Sequence, residues 1–178
     1  MKEKYLIVDL DDSLITWDIS FLSLFLALRK EPALFLKLPF WWFSKKKGFI
    51  KEYFAKKAFS LIDPLLFPLH PEVVFLIKEK KKDNIPVYLV SASQNLLIQK
   101  FHKAHNLFDK AFGSSLENQY KGENKLRLIE KICGGQEFSY VGDAFIDLKI
   151  WKSKNCKTSY VVSRRRGLVN AVKKGLVN

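Results

Sequence analysis

Short apolar runs alternate with helical patterns along most of this chain of 178 residues. Runs too short for a helix and bounded by polar or turn residues predict buried strands; they cover residues 5–8, 86–90, 110–112, 137–141 and 158–162. Between them, a period of about 3.6 residues predicts helices over residues 71–83, 94–105, 121–132 and 146–153. Strands that alternate with helices predict an α/β fold, a Rossmann-like doubly wound parallel sheet covered on both faces.

A long helical stretch separates the first predicted strand from the rest of this pattern. It predicts helices up to Pro32, over residues 33–43 and over residues 49–62, with a basic segment at residues 44–48. We therefore divide the chain into a core (residues 1–14 and 72–162), a helical cap inserted after the first strand (residues 15–71) and a basic tail (residues 163–178).

Composition and charge limit the kinds of molecule that this chain is expected to bind. The chain has 31 Lys and Arg against 18 Asp and Glu, a net charge of +13, and 48% apolar residues. The apolar fraction excludes a disordered chain, and the charge indicates an anionic partner: a phosphorylated substrate, an anionic membrane or nucleic acid. Two cysteines provide neither a disulfide framework nor a zinc cluster, which favours a reducing compartment.

Targeting segments are not expected from the sequence. Three acids within residues 9–12 interrupt any signal peptide. The clean apolar run at residues 19–28 has ten residues, whereas a membrane span needs about 20. We expect a buried or interfacial helix there, and a cytoplasmic protein with peripheral contact at the inner membrane face as the alternative.

Acidic residues follow the first predicted strand. Asp9 and Asp11 lie two residues apart where the chain leaves the sheet, the edge at which parallel sheets bind ligands. Two crowded carboxylates repel each other unless a cation joins them, and Mg²⁺ prefers such oxygen ligands. One carboxylate can then act as a nucleophile and the other as an acid or base; the alternative is a solvated acidic loop.

Hydroxyl and lysine side chains offer phosphate contacts. Ser91 ends the second strand, and the amides of Ala92 and Ser93 are predicted to open a helix, where anions bind; alternatively, Ser93 is an ordinary helix cap. Lys121 precedes the helix over residues 121–132 and is our candidate for the phosphoryl-binding cation, with Lys125 as its rival.

Two further acids follow the strand over residues 137–141. Asp143 lies at the strand end, where it can reach the same cation as Asp9. Asp147 lies four residues later and is expected slightly further out, orienting water or Lys121. The alternative for Asp143 is a helix cap.

Four segments together resemble the haloacid dehalogenase-like hydrolase superfamily, in its phosphoserine-phosphatase-like branch. They are DLDDSL (residues 9–14), VYLVSAS (87–93), YKGENK (120–125) and VGDAFID (141–147), and their order also matches. The resemblance covers about residues 4–162 and implies a Mg²⁺-dependent phosphatase that acts on a phosphomonoester. Departures are Asp12, where the family often has Gly and which we expect to face solvent, and Ser13, which replaces the commoner Thr.

Residue roles are implied by this resemblance. Asp9 becomes an aspartyl-phosphate; Asp11 protonates the leaving oxygen, then activates water, and its backbone carbonyl binds Mg²⁺. The phosphoryl group is held by Ser91, Ala92 and Lys121. Mg²⁺ is ligated by Asp9, Asp11 and Asp143, and Asp147 supports these ligands. A carboxylate at the acid/base position indicates phosphatases and phosphotransferases rather than dehalogenases.

The cap interleaves aromatic residues with lysines. Such a surface suits an interfacial helix on anionic lipid; alternatively, the aromatic rings pack on the core and the lysines face water. The cap and motifs also resemble the hydrolase lobe fused ahead of UbiA-like prenyltransferases, which implies a lipid-linked phosphosugar substrate and leaves open whether the chain is a fragment of a fusion protein. Those lobes often carry Asn where this chain has Asp143.

Other functions fit the sequence less well. A phosphotransferase or mutase would use the same aspartyl-phosphate, with another acceptor in place of water. A non-enzymatic alternative is a basic module that binds a membrane or nucleic acid and has a decayed active site. Nucleic acid is the least favoured partner, because the basic residues form no helix-turn-helix or RNP-like pattern.

Overall fold

A five-stranded parallel sheet forms the centre of the protein. The computed structural model describes residues 3–37, 39–40, 47–163 and 166–175. Its strands are β1 (Tyr5–Val8), β2 (Val87–Gln94), β3 (Lys110–Ser114), β4 (Phe138–Gly142) and β5 (Cys156–Val161). Their order is β3-β2-β1-β4-β5 and all neighbours run parallel, which confirms the predicted α/β fold.

Helices surround this sheet and fill the cap. They are α1 (Ile19–Lys30), α2 (Lys47–Ala58), α3 (Pro71–Lys82), α4 (Asn95–His105), α5 (Glu123–Ile132), α6 (Leu148–Trp151) and α7 (Arg166–Gly175). Short 3-10 helices cover Pro32–Lys37, Pro64–Leu66 and Phe145–Asp147.

The helix predicted over residues 33–43 is wrong over its first half, which is the 3-10 helix Pro32–Lys37. Residues 39–40 are helical, and Pro39 is tolerated in the first turn of a helix but not inside a longer one, because it lacks an amide hydrogen. Residues 41–46, which include most of the basic segment, lie outside the described residues.

The strand β1 lies in the middle of the sheet and is apolar on both faces. Its residues alternate between two core clusters: Leu6 and Val8 join the first, and Ile7 joins the second. The first cluster includes residues of α3 and α4, and the second includes residues of α5, α6 and α7. Because both faces are covered, the carboxyl ends of the strands are the sheet's open edge for polar groups.

The cap leaves and rejoins the core at one place. The Leu14 carbonyl oxygen accepts a hydrogen bond from the His70 amide at 2.8 Å, and the Thr16 amide donates to the Pro68 carbonyl at 3.3 Å. Within the cap, α1 and α2 pack around their own small apolar cluster of Ala27, Leu34 and Phe54. This geometry holds α1 and α2 beside the carboxyl end of β1.

The predicted basic tail, residues 163–178, contains the helix α7. Its side chains Leu168 and Val172 are buried in the second core cluster, one helical turn apart. Five basic residues and no acidic ones in this stretch obscure its short apolar stripe.

Candidate active site

A cavity of about 680 Å³ lies where β1, β2 and β4 end and where the cap helices α1 and α2 approach the sheet. Five of the predicted residues line it: Asp9, Asp11, Ala92, Lys121 and Asp143. The cap contributes a further set of lining residues: Asp18, Ser20, Phe21, Ser23, Leu24, Ile50, Lys51 and Phe54. Core and cap residues therefore face one shared space.

Asp9 is nearly enclosed, at 8% exposure. Its amide donates to the Val141 carbonyl at 3.0 Å, which ties the end of β1 to β4. Oδ1 accepts a hydrogen bond from the Leu10 amide at 2.8 Å, and Oδ2 lies 2.8 Å from the ammonium of Lys125. Burial raises the pKa of Asp9 to about 7, against the lowering effect of Lys125.

Asp11 is held by three donors. Its Oδ1 accepts from the amide of Ile19, the first residue of α1, at 2.7 Å. Its Oδ2 accepts from the hydroxyls of Ser91 at 3.0 Å and Ser93 at 2.6 Å. Burial raises the pKa of Asp11 to about 6, although these hydrogen bonds oppose the shift. A carboxyl group with a pKa near neutrality can serve as an acid and then as a base.

The segment after β2 differs from its prediction. We expected the amides of Ala92 and Ser93 to open a helix, but β2 continues through Gln94, which pairs with Ser114 of β3. The Ser93 amide donates to the Ser91 hydroxyl at 2.9 Å, and α4 begins only at Asn95. The small polar residues here extend the strand instead of capping a helix.

Lys125, the rival candidate, is the lysine that contacts the carboxylates. It is 3% exposed, and its ammonium lies 2.8 Å from Asp9 Oδ2 and 3.9 Å from Asp147 Oδ1. Lys121 is exposed in the loop before α5, at the cavity lining. The helix begins at Glu123, so Lys125 lies one turn before the buried Ile129 on the inner face. This spacing is the sequence signal that favours Lys125.

Asp143 and Asp147 complete an acidic cluster with Asp9. One carboxylate oxygen from each of the three lies within 4.8 Å of the others. Asp143 is half-buried, and burial with the nearby charge of Asp9 raises its pKa to about 7. Clustered carboxylate oxygens are the donors that Mg²⁺ prefers, so these residues fit the predicted cation.

Asp147 lies deeper than predicted, at 2% exposure. The expectation that it orients Lys121 is wrong, because the 3-10 turn Phe145–Asp147 directs its carboxylate toward Lys125. Gly142 permits this position: a Cβ there would lie 2.8 Å from Asp147 Oδ2 and 2.6 Å from the Tyr140 ring.

Tyr140 lies among these buried charged groups, and the sequence does not predict a role for it. Its hydroxyl accepts from the Lys125 ammonium at 2.9 Å and donates to Asp147 Oδ1 at 3.0 Å. Burial, with the nearby carboxylates of Asp9 and Asp147, raises the pKa of Tyr140 well above its ordinary value. No sequence signal separates it from any other aromatic residue in a buried strand.

The cap also reaches the site through side chains that sequence analysis did not select. The hydroxyls of Ser20 in α1 and Ser93 in β2 lie 2.7 Å apart, linking the cap to the hydroxyl that binds Asp11. Lys51 of α2 lines the cavity, half-buried. In a chain with many lysines, nothing in the sequence distinguishes it.

Comparisons with known proteins identify the fold. No family model matches the chain. Uncharacterized protein y4nM of Sinorhizobium fredii is 30% identical over 149 residues, which are 83% of this chain and 28% of that protein. The chain thus spans less than a third of the length of this relative.

Solved structures match over almost the whole chain. Phosphoserine phosphatase in its apo form gives a TM-score of 0.62 at 18% identity, covering 98% of this chain and 91% of that one. A phospho-aspartyl intermediate analogue of phosphoserine phosphatase gives 0.57 at 17% identity, covering 98% and 99%. A HAD-superfamily hydrolase from Ehrlichia chaffeensis gives 0.54 at 19% identity, covering 99% of each chain. The chain therefore shares the fold of these phosphatases and of the HAD-superfamily hydrolase, which is the fold that its four motifs predict.

Proposed function

We propose that this chain is a Mg²⁺-dependent phosphatase that hydrolyses a phosphomonoester through an aspartyl-phosphate at Asp9. One observation carries the proposal: the carboxylates of Asp9, Asp143 and Asp147 form one cluster, in which Asp9 and Asp143 line the cavity and the buried ammonium of Lys125 pairs with Asp9. Phosphoryl transfer depends mainly on positioning and on neutralising charge, and this arrangement supports both. Phosphoserine phosphatases share the fold, one of them as a phospho-aspartyl analogue.

The proposed reaction has two steps. A carboxylate oxygen of Asp9 attacks phosphorus, the bond to the leaving oxygen breaks, and Asp11 gives that oxygen a proton. Asp11 then accepts a proton from water as the water attacks the aspartyl-phosphate, which releases phosphate and restores Asp9. The hydrogen bonds from Ile19, Ser91 and Ser93 hold the Asp11 carboxyl group in place.

Charge neutralisation has two sources in this proposal. Mg²⁺, held by Asp9, Asp143 and the backbone carbonyl of Asp11, would offset the charge of the phosphoryl oxygens. Lys125 stabilises the Asp9 carboxylate from the buried side, and Asp147 and Tyr140 hold Lys125 there. In the proposal, Ala92 lies beside the phosphoryl group, the buried Ser91 acts through its hydrogen bond to Asp11, and Lys121 lies further out, at the exposed rim of the cavity.

Replacement of the nucleophile tests the function. We expect Asp9→Asn to abolish Mg²⁺-dependent hydrolysis of an aryl phosphate, because an amide cannot form the acyl phosphate. Asp12→Asn is the matched control: Asp12 is exposed at φ 54°, a conformation that Asn tolerates, and its variant should stay active. Full activity in Asp9→Asn would refute the proposal. Sugar acceptors that reduce the yield of free phosphate would instead indicate a phosphotransferase.

Peripheral contact of the cap with an anionic membrane is a second candidate function. Large aromatic side chains of the cap are exposed, among them Phe21, Phe25, Phe35, Phe40 and Phe49. Residues 44–57 also hold six lysines and one glutamate, and aromatic residues beside lysines suit a lipid interface. No helix in the described part of the chain is long and apolar enough to cross a bilayer. Such contact would suit a lipid-linked substrate.

Vesicle co-sedimentation tests this membrane proposal. The chain should bind anionic vesicles more strongly than zwitterionic ones, and Phe35→Ser with Phe40→Ser should weaken binding. Phe75→Ser is the control, because Phe75 is equally exposed on α3 outside the cap. Equal binding to both vesicle types, or equal losses in all variants, would exclude the proposed cap contact.

A further inference from the structure

Two lysines from separate segments meet at the cavity. Lys51 comes from the cap helix α2, and Lys121 comes from the core loop before α5; both line the cavity together with Asp11. Burial lowers the pKa of Lys51, and the nearby charge of Lys121 lowers it further, whereas Asp18 and Asp11 oppose the shift. Two cations held near each other in a partly enclosed space attract an anion.

Neither lysine forms an ion pair within the described part of the chain. In the ranges that the structure describes, no carboxylate lies within ion-pair distance of either ammonium. By contrast, Lys56 on the same helix pairs with Glu52 at 2.7 Å, and Lys125 pairs with Asp9 at 2.8 Å. The two cavity lysines therefore remain available to a ligand.

The position of Lys51 and Lys121 favours contact with the leaving group of the substrate. Lys125 contacts Asp9, the proposed nucleophile. Lys51 instead lines the cavity together with Asp11, the proposed acid for the leaving oxygen, and with Asp18 of the cap. The cavity wall between the carboxylates and the two lysines is largely apolar, with Phe21, Leu24 and Phe54 from the cap. A substrate body can thus extend from the carboxylates along apolar side chains toward the lysines.

Gln94 gives independent support for a polar ligand in this cavity. It lines the cavity at 3% exposure, and its buried amide nitrogen has no hydrogen-bond acceptor among the described residues. A buried donor without a partner is unfavourable by about 1–3 kcal/mol. An oxygen atom of a bound ligand would satisfy it.

We propose that the leaving group of the substrate carries a second anionic group, a carboxylate or phosphate, bound between Lys51 and Lys121. This inference rests on the proposed function only for placing the transferred phosphoryl group at Asp9. It narrows the substrate class to phosphomonoesters with an apolar body and a second anionic oxygen group.

Alkyl phosphonates test the inference by binding alone. Three series of graded length, ending in a carboxylate, a phosphonate or a neutral hydroxyl, are titrated into the Mg²⁺-loaded protein by calorimetry. At the best length, we expect at least one of the charged termini to bind about tenfold or more tightly than the hydroxyl terminus, the gain typical of a charge-assisted contact. The preferred charged terminus distinguishes a carboxylate from a phosphate.

Variants assign this preference to the lysines. Lys51→Met should remove most of it, Lys51→Arg should keep it, and Lys56→Met should leave it as in the wild type, because Lys56 lies on α2 outside the cavity. Equal affinity for all termini in the wild type would overturn the inference. So would a Lys51→Met variant that weakens all three series alike, since Lys51 would then contact the transferred group. Phosphonates are not hydrolysed, so these results stand apart from the Asp9→Asn test of phosphatase activity.

Discussion

Lys125→Met is the substitution that probes the buried charges most sharply. Methionine keeps most of the side-chain volume and removes the ammonium that lies 2.8 Å from Asp9 and 3.9 Å from Asp147. With an effective dielectric constant of about 20, these distances correspond to attractions of about 6 and about 4 kcal/mol before desolvation is counted. Loss of one partner from a buried ion pair costs about 3–5 kcal/mol net, and we expect a loss of that size in the free energy of unfolding.

The loss should depend on pH. Burial raises the pKa of Asp9 from 3.8 to about 7, so at pH 8 Asp9 is ionised and the variant leaves a buried charge unpaired. At pH 5 Asp9 is largely protonated in the native protein, and the ammonium stabilises it less. The difference in unfolding free energy between wild type and variant should therefore be larger at pH 8 than at pH 5.

Urea unfolding without Mg²⁺ measures both quantities. Lys121→Met is the control, because this exposed lysine lies four residues earlier and its loss should change stability by less than about 0.5 kcal/mol. A Lys125→Met loss below about 1 kcal/mol, unchanged between the two pH values, would refute the reasoning. Equal losses in the two variants would do the same.

Three further predictions follow from particular contacts. Tyr140→Phe should lower the free energy of unfolding by about 1–3 kcal/mol in urea, because Lys125 and Asp147 each lose a buried hydrogen-bond partner; an unchanged value would contradict this network. Leu168→Ala should lower it by about 2–5 kcal/mol, because α7 packs into the core through this buried residue, whereas Asn170→Ala, at an exposed position of α7, should have little effect. Without metal, the raised pKa values of Asp9 and Asp143 make the native protein bind protons more tightly than the unfolded chain, so their contribution to stability falls as pH rises from about 4 to about 7. Calorimetry should accordingly show that a Mg²⁺ concentration of about 100 times the Kd at pH 8 raises Tm by about 5–10 °C at pH 8, and that the same concentration raises it by less at pH 5; an equal rise at both pH values would contradict binding at these carboxylates.

The sheet and its acidic ends could be predicted from the sequence because burial on both faces demands continuous apolar runs. The runs at β1, β2 and β4 each lead into polar residues, which predicts that Asp9, Asp11 and Asp143 lie at one edge of the sheet. The shared edge follows from parallel strand direction, which alternation of strands and helices already indicates.

Composition could not predict which of two lysines contacts the carboxylate of Asp9. Lys121 and Lys125 carry the same charge on the same segment, and only the start of α5, after Gly122 at φ 56°, decides which one turns inward. The role of Tyr140 depends on contacts made across the fold, which no local pattern encodes. The prediction ends β2 too early for a related reason. Ser91, Ala92 and Ser93 are typical loop residues, and only the pairing of β2 with β3 shows that they continue the strand.

The aspartyl-phosphate itself is the most direct test of the proposed function. Rapid acid quench during turnover of an aryl phosphate, followed by borohydride reduction, converts an acylated aspartate into homoserine, which peptide mass spectrometry locates. We predict homoserine at residue 9 and none in the Asp9→Asn variant. Steady turnover with no reduced residue at position 9, or with the reduced residue at Asp11, would contradict the mechanism.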